Sequence, residues 1–343
     1  MFYIIVGIFV LLVVLVVTSI IVGDNFIEKA LVREKPNKRE CDSDLFYLSV
    51  EAFKNYNKYK SETEKWLKKV KHEKININSC NLKLVAYQFR NNSHNWVILL
   101  HGYKGKKEEM LHLAEWYYNN GYNVLVPDLR GHGESACKYI GMGYMDRIDM
   151  LNFISYIINR DKDAKIVLHG HSMGAAAALF TTGMNPTNVV ACIADCSYTS
   201  ILGIFKRQMR CLFGLPSFPI LNMANFSFML KKDSYNLRKA SVVKFVKNSK
   251  IPTLFINGSK DNMIPLEEID TLYNALESDK EKIVFEGVGH AQCELEDFDK
   301  YAKVVTKFLK KYIKNSKEVK KKWFPFFTGT TKTLTKSRFC GKI

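Results

Sequence analysis

Lys165-Ile166-Val167-Leu168-His169-Gly170-His171-Ser172-Met173-Gly174-Ala175-Ala176-Ala177-Ala178-Leu179-Phe180 is the stretch whose reading decides the fold. Its first five residues hold the apolar run Ile166-Val167-Leu168, two of them β-branched, as in a buried strand, and the alanine run that follows is a strong helix former. Between them Gly170-His171-Ser172-Met173-Gly174 has the GxSxG spacing of a nucleophile elbow. A serine lifted on so tight a turn exposes its Oγ above the sheet edge, and glycines on either side remove Cβ atoms that would collide where strand and helix cross. The helix that begins here aims its first N–H groups and positive dipole end at the same spot, where an oxyanion could form.

Working outward, Trp96 to Leu100 is a continuous apolar strand ending in His101-Gly102-Tyr103-Lys104-Gly105, a glycine-bearing loop. Acyl transfer needs two backbone donors for the oxyanion, and the candidates are the N–H groups of Tyr103 and Met173. His101 reads as a residue that orients this loop. The turn Leu129-Arg130-Gly131-His132-Gly133-Glu134-Ser135 follows a strand over 123–128. It lacks the spacing of a phosphate cradle and the extra ligands of a metal site, and so reads as a glycine-permitted turn bordering the site. Val189 to Asp195 and 252–257 are further strands, and Asp261 and His290 each follow a strand on a loop, on the side of the sheet that carries Ser172. That order predicts Ser172 as nucleophile, His290 as general base and Asp261 as the acid that fixes its tautomer. Asp195, at the end of another strand, is the alternative acid. Alternating strands and helices predict an α/β class fold, a mainly parallel sheet with helices on both faces and the site beyond the carboxyl ends of the strands.

The elbow, the chain order Ser172, Asp261, His290, the His101-Gly102-Tyr103 loop, the Asp128-to-Ser135 turn and Gly287-Val288-Gly289-His290 together resemble the α/β-hydrolase superfamily. More narrowly they resemble membrane-anchored bacterial α/β hydrolases of the serine aminopeptidase-like and BEM46-like lineages. The resemblance covers residues 74 to 313. It implies an α/β-hydrolase fold with a helical lid insertion and a serine hydrolase acting on carboxylic esters, with a small-molecule acyl ester as substrate. A serine peptidase, an acyltransferase and a non-catalytic binding protein on the same scaffold stay open as alternatives. No cofactor and no metal are expected.

Residues 198–250 interrupt the strand-helix pattern with a Met- and Phe-rich segment, which reads equally as an ordinary helical hairpin with its own core and as a lid that, through Phe213, Phe226 and Met229, forms part of an acyl pocket; the two can hold together. Phe2 to Val22 carries no charged side chain and, at about 1.5 Å per residue, is long enough to cross the roughly 30 Å hydrocarbon core; a cleaved signal peptide is the main competing reading, disfavoured by the length of the run, the lack of a basic n-region and the lack of a clear A-x-A site. The expected plan is therefore a transmembrane anchor over 1–23, a helical stalk over 24–73, the catalytic domain over 74–313 and a basic tail over 314–343. Lys29, Arg33, Lys35, Lys38 and Arg39 follow the span and none precede it, which favours the cytoplasmic side for the domain.

The 343 residues carry a formal charge of +17, of which the tail contributes +8 through nine Lys/Arg and one acid. A solvated basic face or attraction to anionic headgroups accounts for that balance. No zinc-finger or RNA-binding spacing is present, and nucleic acid is not an expected partner. The eight cysteines are scattered, as buried or isolated thiols are, rather than arranged as a disulfide framework.

Overall fold

The apolar runs become eight strands of one sheet in the computed structural model, which describes residues 1–33 and 48–313 apart from the side chain of Leu212. The basic tail, the beginning of the stalk over 34–47, and with them Cys41 and Cys340, lie outside the described residues. The chain opens with α1 (Phe2–Leu31) and α2 (Val50–Lys69), followed by a hairpin of β1 (His72–Ser79) and β2 (Leu82–Phe89). Next come β3 (Asn95–Leu100), α3 (Leu111–Asn119), β4 (Asn123–Pro127), α4 (Asp146–Arg160), β5 (Lys165–His171), α5 (Met173–Thr182) and β6 (Val189–Asp195). The insertion contributes α6 (Ile201–Phe213), α7 (Ile220–Met229) and α8 (Val242–Val246). The sheet then resumes with β7 (Thr253–Gly258), α9 (Leu266–Ala275), β8 (Lys280–Phe285), α10 (Cys293–Glu296) and α11 (Phe298–Ile313).

Strand order across the sheet is β1-β2-β4-β3-β5-β6-β7-β8. Only β2 runs antiparallel to its neighbours, and the other pairings are parallel. The continuous apolar sequence of β3 has a direct cause: Trp96, Ile98 and Leu100 enter the core under α4 to α9, while Val97 and Leu99 enter the one under α2, α3 and α11. Because every central strand is parallel, the loops at the carboxyl ends all open on one side, and Ser172, Asp261 and His290 are carried there together.

The first helix does not stop at the expected anchor boundary. It continues to Leu31, and where residues 2–18 are all exposed, Ser19, Gly23, Ile27 and Leu31 form a buried seam at a spacing of four. The seam packs on α7: a Cβ placed on Gly23 would lie 2.8 Å from Ala224 Cβ and 3.0 Å from the Ile220 carbonyl oxygen. Phe26 stands edge-on to Phe205 of α6, with ring centroids 5.3 Å apart. Beyond the helix, Ile140 N–H donates to the Leu31 carbonyl (2.7 Å), and the Arg33 guanidinium donates to the carbonyls of Ser135 (2.7 Å) and Gly133. Residues 24–33 are thus part of the globular domain. The later part of the expected stalk is α2, capped by Ser49 Oγ, which accepts from Ala52 N–H; it packs on the domain with Trp66 stacked on Phe89 at 4.7 Å.

Overpacking a helix seam of this closeness costs about 1–3 kcal/mol. Gly23→Val is expected to lower the thermal midpoint of the detergent-solubilised protein by several degrees. Gly7→Val, whose added Cβ would meet nothing within 4 Å, should leave it unchanged. Equal midpoints for the two variants would mean that α1 is not held by this seam.

Phe205, Met209, Leu221, Ala224 and Phe228 are buried in the main core, as in an ordinary helical hairpin. Phe213, Phe226 and Met229, expected to wall an acyl pocket, are instead 54%, 59% and 46% exposed. The buried face of α6 and α7 is occupied by α1 and the sheet-side core, which turns these three side chains outward.

Candidate active site

Ser172 ends β5 and caps α5 with φ +52° and ψ −113°, a conformation that costs an L-residue energy and persists only where its surroundings fix it. The surroundings here are close. A Cβ on Gly170 would overlap the Gly174 backbone, and one on Gly174 would overlap the Leu100 carbonyl, so both glycines are required for strand β5 and helix α5 to cross beside β3. Ser172 N–H donates to the Asp195 carbonyl at 2.8 Å, which pins the turn to the end of β6.

Ser172 Oγ lies 2.9 Å from His290 Nε2, and His290 Nδ1 lies 2.7 Å from Asp261 Oδ2. The carboxylate's other oxygen accepts from the N–H groups of Met263 (2.9 Å) and Ile264 (2.7 Å), so Asp261 is held from both sides. An anionic acceptor at Nδ1 keeps the proton there and leaves the Nε2 lone pair facing the serine hydroxyl. The structure therefore brings together the three side chains singled out from the sequence, across 118 residues of chain.

The two expected oxyanion donors flank the same serine. Met173 opens α5, where the first N–H has no intrahelical acceptor. Tyr103 follows Gly102, whose added Cβ would be 3.9 Å from Ser172 Cβ, so the loop lies directly over the elbow. His101 is fully buried; its Nδ1–H donates to the Gly102 carbonyl (2.8 Å) and its Nε2 accepts from Leu129 N–H (3.0 Å). His132 does the same from the facing turn, donating to the Arg130 carbonyl (3.0 Å) and accepting from Lys104 N–H (3.1 Å). Burial holds both imidazoles below the usual histidine range, His132 to about 3, so they remain neutral. Beneath them the Lys107 ammonium, 2% exposed, bonds Asp128 (2.8 Å) and Glu134 (2.9 Å). Sequence reasoning passed over this lysine, since nothing in its local sequence marks a buried cation. Tyr103 is fixed from a further direction, its hydroxyl donating to the Ala30 carbonyl at the end of α1 (2.7 Å).

Behind the elbow sits a cluster the sequence did not suggest. His171 and Asp195 are register partners on β5 and β6, so their side chains share a face. His171 Nε2 is 3.9 Å from Asp195 Oδ2, and its Nδ1 is 3.5 Å from Glu294 Oε1. Both Asp195 oxygens, Glu294 Oε2 and the nearby His112 Nε2 are buried without a hydrogen-bond partner. One nitrogen of His171 and one oxygen from each of Asp195 and Glu294 lie within 4.8 Å of one another, a buried group of polar atoms set apart from the serine. Burial pushes Asp195 up to about 7 and Glu294 up to about 8, while His171 is lowered.

Stability should follow. A carboxyl raised in the folded state stays protonated where the unfolded chain has already ionised, so its contribution is complete below about pH 4 and is lost as pH rises through 7 to 8. Asp195→Asn is expected to flatten the fall in thermal midpoint between pH 5 and pH 8.5, by an amount on the order of a few kcal/mol at most. An unchanged pH slope would show that Asp195 is ionised in the folded protein.

The family described as serine aminopeptidase, S33, matches residues 91–214. The chain is 29% identical over 217 residues to the uncharacterized protein YqkD of Bacillus subtilis, covering 63% of this chain and 71% of YqkD. It is 24% identical over 295 residues to Lipase 1 of Psychrobacter immobilis, covering 74% and 91%. It spans 58% to 61% of six further curated relatives, bem46 of Schizosaccharomyces pombe among them. The solved structure of the Pyrococcus furiosus esterase Pf2001 superposes with a TM-score of 0.59 at 24% identity, over 71% of this chain and 92% of that one.

Proposed function

We propose that this chain, a member of the α/β-hydrolase superfamily, hydrolyses carboxylic esters of apolar acyl groups through an acyl-enzyme formed on Ser172. The observation that supports this reading is the hydrogen-bonded chain Asp261, His290, Ser172, ending on a serine at φ +52°. In the first half-reaction His290 Nε2 takes the Ser172 Oγ proton as Oγ attacks the carbonyl carbon. The carbonyl electron pair moves to oxygen, where the N–H groups of Tyr103 and Met173 receive it. Collapse breaks the ester C–O bond, and His290 returns its proton to the leaving alkoxide. In the second half-reaction water loses a proton to the same nitrogen, adds to the acyl carbon, and releases the carboxylic acid with Ser172 restored. Asp261 stays ionised throughout and stabilises the transient imidazolium.

An apolar acyl group fits the setting of the site. Tyr103 and Met263, beside the oxyanion loop and the acid, are half-buried apolar side chains packed on the main core. The first helix is long and apolar enough to cross a membrane, which would keep the site near lipid-derived esters. On the charge bias after that helix, the domain lies on the cytoplasmic side. The matching family's description favours one second reading, a serine peptidase using the same residues.

A fluorophosphonate probe should label the wild-type protein at Ser172. A panel of p-nitrophenyl esters of graded chain length, run beside aminoacyl anilides, should show ester turnover that grows with acyl length. Anilide turnover exceeding ester turnover would replace the esterase reading with the peptidase one, and absence of both labelling and turnover would leave a binding protein.

A further inference from the structure

The exposed apolar residues of the insertion fall at both ends of α7, Phe213, Leu215 and Phe218 before it and Phe226, Met229 and Leu230 at its close. Helices α7 and α1 share one direction: Gly23 lies against Ile220 and Ala224, Asp24 bonds Ser227 (2.6 Å), and Lys231 reaches Asp24 (3.3 Å) and Glu28 (2.9 Å). Rising numbers on α1 meet rising numbers on α7, so the two helices run parallel. The connection that precedes α7, residues 214–219, therefore points back along α1 toward its uncharged end. That connection carries Leu215 and Phe218, the latter 73% exposed, while Phe213, at the end of α6, stands edge-on to Phe26 at 6.2 Å.

The depth follows from the helix rise. The uncharged run ends at Val22, and the buried seam already includes Ser19, three residues or about 4.5 Å further in. The hairpin thus covers α1 inside the apolar segment, and its tip extends beyond that contact. Behind the tip the composition changes sign and polarity: from 201 to 240 there are seven Lys/Arg and one acid. Apolar tip below and basic collar above is the pattern of a surface that enters the headgroup boundary of an anionic bilayer.

We propose that, with α1 spanning the membrane as read above, the tip of the α6–α7 hairpin is embedded in the same leaflet beside it. Leu215 and Phe218 lie among acyl chains, and Lys206, Arg210 and Lys232 lie at the headgroups. The occupant of this apolar surface is the lipid bilayer, because the surface is continuous with the span. Since the end of α1 also holds Tyr103, the tip and the oxyanion loop are fixed to one membrane-bound element.

The test uses the full-length protein reconstituted in vesicles of phosphatidylcholine and phosphatidylglycerol, without brominated acyl chains and with chains brominated near the headgroup in one set and near the chain end in another. Tryptophan is introduced singly as Phe218→Trp at the tip, Leu12→Trp within the span and Glu277→Trp on the exposed far side, and each added emission is read as the difference from wild type. The expected result is bromine quenching of the Phe218→Trp probe within about twofold of the Leu12→Trp probe, with none for Glu277→Trp. Quenching of Leu12→Trp without Phe218→Trp would overturn the embedded tip and keep the span, whatever else covers the tip, a second copy included. Quenching of neither would overturn the span reading and the tip with it.

Discussion

Replacing Ser172 by alanine is expected to lower kcat/KM on p-nitrophenyl esters by roughly 10⁴-fold or more, a loss of about 5 kcal/mol of transition-state stabilisation, with the fold unchanged. The effect is large because the serine supplies the bond that splits hydrolysis into two steps, and the remaining parts act on nothing without it. The fold should survive because the backbone at 172 is held by the Asp195 carbonyl and by the two flanking glycines, none of which involve Oγ. Circular dichroism and thermal midpoint near wild type, with fluorophosphonate labelling abolished, would complete the result. Turnover like that of the wild type would remove Ser172 from the mechanism.

The second large effect separates two acids. Asp261→Asn is expected to cut kcat by about 10³–10⁴-fold with little change in KM, since an amide at that place no longer secures the Nδ1–H tautomer or stabilises the imidazolium. Asp195→Asn should cost less than about tenfold, because its carboxyl faces His171 and has no hydrogen bond to His290. The reverse ordering would exchange their roles. Asp195→Asn should also alter the pH dependence of stability, because burial pushes that carboxyl up to about 7.

Much of the site was legible in the chain because its parts are local. A strand, a glycine-flanked serine and an alanine-rich helix are written in sixteen consecutive residues, 165–180, and the crossing of strand and helix dictates both glycines wherever the segment folds. The parallel sheet was legible through alternation of elements, and with it the side on which the 261 and 290 loops emerge. Tertiary structure decided what depends on direction rather than order. Asp195 and Asp261 both end strands of the same sheet, and only the pairing register, which sets Asp195 opposite His171, turns one away from His290. The buried carboxyls at 195 and 294 come from distant segments whose local sequences show no need for each other. The first helix is apolar on every face over its uncharged run, so hydropathy could not say which stripe meets protein. The small residues Ser19 and Gly23, four apart, were the only local mark of a seam, and they gain meaning from Ala224 on a helix two hundred residues away. The same contact turned Phe213, Phe226 and Met229 outward, because a hairpin buries the face its neighbour covers, and composition names the residues without naming the neighbour.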